Sequence, residues 1–182
     1  MTMRRFVSTA TVLIVASGCA NGHDSLHPTA PTFIQRGPID ASASATGPVQ
    51  TSGHFDAIVD FSTVTLTPRG ENCLLTVNGR IVFSGTIEGV ATGQTSALEF
   101  APCSQVAVNP PGTFPDEFKS VATFQGTVNG QPATADLLYM GRVQVGGAID
   151  GRFVFSNGVA GRLDVQSIVA VGGTYSGSVV VN

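Results

Sequence analysis

The stretch FKSVATFQGTVNGQPATADLLYM, residues 118–140, decides the fold. In its first half Ala122, Phe124 and Val128 share one face and polar side chains share the other, which is the period-two alternation of a half-buried strand. Residues 132–140 alternate in the same way. Between the halves lies Asn129-Gly130, a pair typical of a type I′ turn, which needs a positive φ at both positions. The stretch therefore predicts an antiparallel β-hairpin.

The same alternation extends over residues 53–182 and predicts an all-β domain. Strands are expected at residues 53–61, 71–77, 80–87, 90–100, 118–128, 132–140, 148–156, 161–171 and 174–181, with a second hairpin turn at Asn78-Gly79. Sequential antiparallel strands with one apolar face each form a barrel or a sandwich, and closure into a barrel removes the exposed edges. We expect an antiparallel eight-stranded (eight or nine) calycin-like barrel over residues 53–182. The interior of such a barrel is either filled by side chains or holds one small ligand.

The first nineteen residues have the order of an export signal rather than of a folded element. A positive region with two arginines, a mostly apolar segment (residues 6–16) and the small pair Ser17-Gly18 precede Cys19. This order resembles the bacterial lipoprotein signal, in which residues 1–18 are removed and the cysteine thiol receives a lipid. The alternative is a plain secretory peptide cleaved close to the same position.

The lipoprotein resemblance implies that Cys19 anchors the protein to the exported side of a membrane in the cell envelope. Ala20 stands where many lipoproteins kept at the inner membrane of Gram-negative cells have aspartate, so the resemblance implies the outer membrane in such a cell. Residues 19–52 hold four prolines among Ser, Thr, Ala and Gly without a sustained period. We expect a disordered tether that spaces the barrel from the bilayer.

The charge of the chain excludes one class of partner. Residues 19–182 carry seven basic and twelve acidic side chains, and Lys119 is the only lysine. Nucleic-acid-binding domains neutralise phosphates with clusters of Lys and Arg, and this sequence has no such cluster. We therefore expect no nucleic-acid partner.

The chain has three cysteines, and one of them is assigned to the lipid. Cys73 and Cys103 then remain as an even pair in an oxidising compartment. We expect a disulfide between them, with two buried free thiols as the alternative. No C-x-x-C or Cys/His spacing indicates redox or metal chemistry.

Glycine-containing motifs recur along the predicted strands. Residues 83–89 (FSGTIEG) and 124–130 (FQGTVNG) share the pattern Phe-x-Gly-Thr-[Ile/Val]-x-Gly. A resemblance to the allene oxide cyclase-like barrel family, most of all to its uncharacterised bacterial branch, lies in residues 124–130, 151–158 (GRFVFSNG), 161–163 (GRL) and 172–177 (GGTYSG). The resemblance implies an eight-stranded antiparallel barrel with a central cavity. It does not carry over the cyclase activity, because the family's site of a carboxylate and an ordered water has no residue-by-residue match here.

Few side chains of this sequence qualify as site residues. The residues expected to line the cavity are large aromatic residues whose position in the strand alternation points them into the barrel: Phe83, Phe124, Tyr139, Phe153, Phe155 and Tyr175. Glu71 and Glu99 are the only acidic residues that alternate in step with small or apolar residues, which places their carboxyl groups on the inward face of a strand. Desolvation there would shift the pKa of such a group toward catalytic use. His54, Asp56 and Asp60 share a strand face, which an exposed polar surface explains. We expect no metal site and no cofactor.

These features leave three hypotheses for the function. The first is a lipid-anchored envelope protein whose barrel binds a small apolar ligand or a protein partner without catalysis. The second is a cyclase or isomerase that uses the cavity with Glu71 or Glu99, and the third is a purely structural surface lipoprotein with a filled core. We favour binding over reaction, because the sequence shows neither a nucleophile–base pair nor a cluster of three metal ligands. A ligand is expected to enter near residues 101–117, a proline-rich loop long enough to act as a lid.

Overall fold

The computed structural model describes residues 47–182, which form one closed barrel of eight antiparallel strands. The elements are β1 (Val49–Arg69), β2 (Asn72–Gly85), β3 (Ile87–Glu99), α1 (Cys103–Val106), β4 (Asp116–Val128), β5 (Gln131–Val143), β6 (Ala148–Ser156), β7 (Val159–Ile168) and β8 (Gly172–Val181). Each strand pairs with the next along the chain, and β8 pairs with β1 to close the barrel. The prediction of an all-β, eight-stranded antiparallel barrel is confirmed. Within residues 47–182, no helix is long and apolar enough to cross a membrane.

Three predictions fall outside the described residues. They are the signal peptide at residues 1–18, the lipid-bearing Cys19, and the tether as far as residue 46. Residues 47–52 of the predicted tether are described, and residues 49–52 of them belong to the first strand of the barrel.

The barrel begins earlier than the alternation predicted. Strand β1 starts at Val49, four residues before the expected boundary at Gly53. Val49 pairs with Val179 of β8, and the buried Thr51 hydroxyl donates a hydrogen bond to the Gly177 carbonyl at 3.3 Å. The sequence did not reveal these residues because they are mostly polar. Their place in the barrel comes from the backbone ladder with β8, which closes the sheet.

The two Asn-Gly pairs differ, and only one of them turns the chain. Asn129 and Gly130, with φ values of 50° and 77°, connect β4 to β5, which confirms the predicted hairpin turn. The predicted turn at Asn78-Gly79 is wrong, because both residues lie inside β2. The alternation of buried and exposed residues continues across that pair. A Cβ atom at Gly79 would lie 2.8 Å from the Ile58 carbonyl oxygen, so glycine at this position allows β1 and β2 to approach closely.

The repeated glycine motif brings β3 and β4 together. Gly89 of β3 and Gly126 of β4 are cross-strand partners. A Cβ atom on Gly126 would lie 2.0 Å from the Glu88 carbonyl oxygen, and one on Gly89 would lie 2.4 Å from the Gln125 carbonyl oxygen. The two copies of the motif therefore meet across one ladder, where the backbones leave no room for a side chain.

A disulfide joins Cys73, at the start of β2, to Cys103, the first residue of α1. The two Cα atoms are 4.8 Å apart, and Cys73 is fully buried. The predicted pairing is confirmed. Because α1 lies in the connection between β3 and β4, the bridge ties this connection to the barrel wall.

Aromatic side chains fill the half of the barrel nearer the start of β1. Phe83 lies at the centre, with its ring centroid 5.2–5.7 Å from those of Phe124, Phe153 and Tyr175 in edge-to-face geometry. The Tyr175 hydroxyl accepts a hydrogen bond from the Ile87 amide at 3.0 Å. These rings are at most 3% exposed. Edge-to-face pairs stabilise a core by about 0.5–1.5 kcal/mol each beyond burial alone, so we call this region the packed half.

Candidate ligand cavity

The other half of the barrel interior encloses a cavity of about 470 Å³. It exists because many inward positions of the first four strands carry small residues, namely Ala57, Gly79, Ala91, Gly93, Thr95, Ala97 and Ala122. The register places several of them in one row, with Gly93 opposite both Gly79 and Ala122. Large side chains are just enough to fill an eight-stranded barrel, so a row of small ones leaves space. We call this region the hollow half.

The connection between β3 and β4, residues 100–115, caps the hollow half. Val106 of α1 and Phe114 border the cavity from this connection, which the disulfide holds to β2. The lining also includes Ile58 and Phe61 of β1, which are 43% and 57% exposed. The cavity therefore reaches the surface beside the cap, at the end of the barrel opposite the start of β1.

Two carboxyl groups lie in this largely apolar lining: Glu99 at the end of β3 and Asp116 at the start of β4. They are direct cross-strand partners, which places their Cβ atoms about 5 Å apart. Glu99 is 8% exposed and Asp116 is 4% exposed. Burial, with the Glu99 charge adding to it, raises the pKa of Asp116 to about 7, and burial also raises the pKa of Glu99. We call these two residues the acidic pair.

Other polar side chains of the lining bond to one another. The Tyr139 hydroxyl lies 2.8 Å from Ser167 Oγ, and Thr95 Oγ1 lies 2.6 Å from Ser120 Oγ. Burial raises the pKa of Tyr139 to about 12, although the bond to Ser167 acts in the opposite direction. Within residues 47–182, the only buried side-chain oxygen or nitrogen without a hydrogen-bond partner is Asp116 Oδ1. This oxygen without a hydrogen-bond partner therefore belongs to the acidic pair.

Glu71, one of the two predicted carboxyl candidates, lies outside the cavity. It is exposed in the turn between β1 and β2, next to Gly70 with a φ of 64°. The prediction that Glu71 faces the barrel interior together with Cys73 is wrong. Strand β2 begins at Asn72, so Glu71 precedes the alternation of inward and outward side chains. Glu99, the other candidate, faces the cavity as expected.

Of the six aromatic residues expected to line the cavity, only Tyr139 does so. The other five belong to the buried core of the barrel and do not border the cavity: Phe83, Phe124, Phe153, Phe155 and Tyr175. The expectation was wrong for them because large inward side chains fill a barrel of this width. The cavity lies where the inward side chains are small.

The sequence reasoning missed Asp116. The proline-rich segment predicted a loop through residue 117 and a strand only from Phe118 onward, whereas β4 begins at Asp116. A signal was present, because Asp116 has the same parity as Phe118, Ala122 and Phe124. Extending the alternation back by one pair of residues places its carboxyl group on the inward face.

The described residues offer no set of metal ligands. Within residues 47–182, no three His, Cys, Asp or Glu side chains come together to hold a metal ion. His54, Asp56 and Asp60 are exposed along β1. What the site can do chemically is enclose an apolar molecule and hold one polar group of that molecule at the acidic pair.

No family model, curated protein or solved structure gives a match to this chain. The resemblance to allene oxide cyclase-like barrels therefore stays a prediction.

Asp116→Asn is expected to stabilise the protein at pH 8 and to change its stability little at pH 4. The pKa of Asp116 is about 7 in the fold, against 3.8 for an unperturbed aspartate carboxyl group. Between these values the unfolded chain gives up a proton that the fold keeps, so wild-type stability falls as the pH rises from about 4 to about 7. Asparagine removes this loss, and we expect a gain on the order of 2 kcal/mol at pH 8, since water entering the cavity moderates the penalty.

Urea unfolding of both proteins between pH 4 and pH 8 measures this gain. Asp164→Asn, at an exposed position of β7, is the matched control and should leave the pH profile unchanged. A constant difference between wild type and Asp116→Asn at every pH would contradict the assignment.

Proposed function

We propose that this protein is a lipid-anchored envelope protein whose barrel binds a small, mostly apolar ligand. The observation that supports this most is the capped cavity of about 470 Å³ beside a packed aromatic core in the same barrel. Ligand sites in proteins are concave and mostly apolar, with a few polar groups that fix the orientation of the ligand. The hollow half has these properties, with the acidic pair as its main polar feature.

The distribution of side chains separates ligand binding from a purely structural role. Aromatic rings fill the packed half of the barrel closely. A barrel selected only as a rigid body would gain stability from larger residues at Ala97 and Ala122, because unfilled core space costs free energy. Small residues at these positions support a cavity kept open for a ligand.

Native mass spectrometry of the full-length protein purified from its own envelope tests this proposal. We expect a bound small molecule on the wild type and its loss in Ala97→Phe, whose ring would occupy the cavity. Ala160→Phe makes the same change at an exposed position of β7 and should keep the bound molecule. A wild type without any bound molecule, or an adduct that Ala97→Phe retains, would contradict ligand binding in the hollow half.

The envelope location is proposed from the sequence. The order of charged, apolar and small residues before Cys19 supports lipid attachment at that thiol, with the outer membrane as the destination in a Gram-negative cell. Several acyl chains on one residue anchor a protein stably, whereas a single chain binds only marginally.

Cys19→Ser is expected to move the protein from the membrane pellet to the soluble fraction after a high-salt wash, because it removes the acceptor of the lipid. Fractionation followed by immunodetection measures this shift. The double variant Cys73→Ala/Cys103→Ala keeps Cys19 and should stay in the pellet. Membrane retention of Cys19→Ser would contradict the lipid anchor.

A second candidate function, proton transfer in an isomerase or cyclase, is favoured by one specific observation. Asp116 is buried in the cavity with a pKa raised to about 7, near the value that a general base needs at neutral pH. The test is to incubate the ligand found on the protein in D₂O with wild type and with Asp116→Asn. Deuterium incorporation at a carbon of the ligand by wild type alone would support catalysis. No incorporation by either protein would favour binding without reaction.

A further inference from the structure

The acidic pair consists of two carboxyl groups in a largely apolar cavity wall, which solvates them poorly. Glu99 and Asp116 face each other across the β3–β4 ladder, and both are more than nine-tenths buried. Asp116 borders the cavity, and its Oδ1 atom is buried without a hydrogen-bond partner within the described residues. A buried acceptor without a donor costs free energy, and in native proteins such groups usually find a partner. A molecule in the cavity that reaches the acidic pair could supply the donor that this side chain lacks.

No cation of the described chain serves the acidic pair. Within residues 47–182 the only ion pair joins Arg142 to Glu117, and both side chains are exposed. Arg80 borders the cavity, but it lies seven residues along β2 from Cys73, the partner of Glu99, which is about 23 Å of strand. When Asp116 is ionised, a counter-charge for the acidic pair must therefore come from a molecule in the cavity or stay absent.

We propose that the ligand of this cavity carries a basic amine, which binds as an ammonium group between Glu99 and Asp116. This inference rests on the proposed function and names the chemical class of the ligand. An ammonium group supplies up to three N–H donors and a positive charge, so one group offers a donor to Asp116 and offsets one of the two negative charges of the ionised pair. The apolar remainder of the ligand then lies along the small residues of the hollow half, such as Ala97 and Ala122.

Other polar groups match the acidic pair less well. A hydroxyl donates one hydrogen bond and leaves the charge without compensation. A carboxylate adds a third negative charge beside two groups that already resist ionisation through burial. Among the polar groups that are common on apolar ligands, an amine supplies both the hydrogen-bond donor and the positive charge that the acidic pair lacks.

Amine binding should depend on pH in a defined direction. The titratable or charged residues in the lining are Arg80, Glu99, Asp116 and Tyr139. Tyr139 is bonded to Ser167, and Glu117 and Lys119, which flank the site along β4, are exposed. Affinity for an amine should rise through pH 7 as Asp116 ionises, and it should fall near pH 10, where an alkylamine loses its own proton.

The test compares 2-(2-naphthyl)ethylamine with 2-(2-naphthyl)ethanol, two probes that differ only in the polar group. The protein is the full chain with Cys19→Ser, purified without detergent, and binding is measured by isothermal titration calorimetry. We expect the amine to bind at least about tenfold more tightly than the alcohol at pH 8. At pH 5.5 the preference should fall to about threefold or less.

The outcomes separate this inference from the function on which it rests. If the alcohol binds at pH 8 as tightly as the amine, the inference is overturned while the proposed function stands. If neither probe binds, the proposed function fails, and the inference fails with it. The double variant Glu99→Gln/Asp116→Asn, checked for a native thermal transition, should lose the preference, and Asp164→Asn should keep it. A double variant that folds and keeps the tenfold preference would also overturn the inference.

Discussion

Phe124→Ala is expected to lower the free energy of unfolding by about 3–5 kcal/mol. The Phe124 side chain is fully buried, and its ring meets those of Phe83 and Phe155 edge to face at 5.7 and 5.6 Å. Its neighbours across the strands are Ala91 and Ala135, which are too small to close the space that alanine would leave. Urea or guanidinium unfolding of the full chain, followed by circular dichroism, measures this cost.

The matched control for this variant is Phe61→Ala. It removes the same ring from a position of β1 that is 57% exposed, and we expect it to cost less than about 1 kcal/mol. If Phe124→Ala also cost less than about 1 kcal/mol, the cavity would have to extend around Phe124. The division of the barrel into a packed half and a hollow half would then be wrong.

Removing the disulfide by Cys73→Ala/Cys103→Ala is expected to cost roughly 3.5 kcal/mol. The bridge closes a chain segment with a sequence separation of 30 residues, and on the chain-entropy model a loop of this length restricts the unfolded state by about that amount. Chemical unfolding of the full-length variant measures the loss.

Wild type unfolded in the presence of a thiol reductant is the independent control for this variant. It should lose a similar amount of stability, since it breaks the same bond without a substitution. A loss below about 1 kcal/mol in both measurements would indicate that the bridge adds little to the barrel. The connection between β3 and β4 would then have to be held by its other contacts.

The fold could be predicted from the sequence because the strands have one apolar face each and short links. The alternation around Phe124 and the turn at Asn129-Gly130 fix both a hairpin and its register, and the same pattern repeats to the end of the chain. Asn78-Gly79 could not be interpreted in the same way. A pair that permits a tight turn also permits close strand approach, and only the position of the neighbouring strand decides between the two.

The cavity was harder to predict than the fold. Inward parity identified the residues that face the barrel interior, but it did not say which of them leave space. Side-chain volume decides that point: Phe83 and Phe153 fill one half, whereas Ala97 and Ala122 leave the other half open. The cavity therefore follows from three-dimensional register, which brings small residues of several strands into one row.

The sequence identified one of the two residues of the acidic pair. Glu99 stood out because its parity neighbours are alanines, and it does face the cavity. Asp116 was not predicted to face the interior, because the prolines that precede it indicated a loop at the position where β4 begins. The pairing of these two residues depends on the register between β3 and β4, which separate strand patterns do not determine.

Ligand binding in the hollow half is tested most directly by a fluorescence titration with pyrene, a neutral apolar fluorophore that responds to the polarity of its surroundings. The protein is the full chain carrying Cys19→Ser. We predict saturable binding of one pyrene per barrel in an apolar environment. Ala97→Phe should weaken this binding by at least about tenfold because its ring occupies the hollow half, and the exposed-position control Ala160→Phe should not weaken it. The absence of saturable binding, or equal binding by Ala97→Phe and wild type, would contradict a ligand-binding cavity in this barrel.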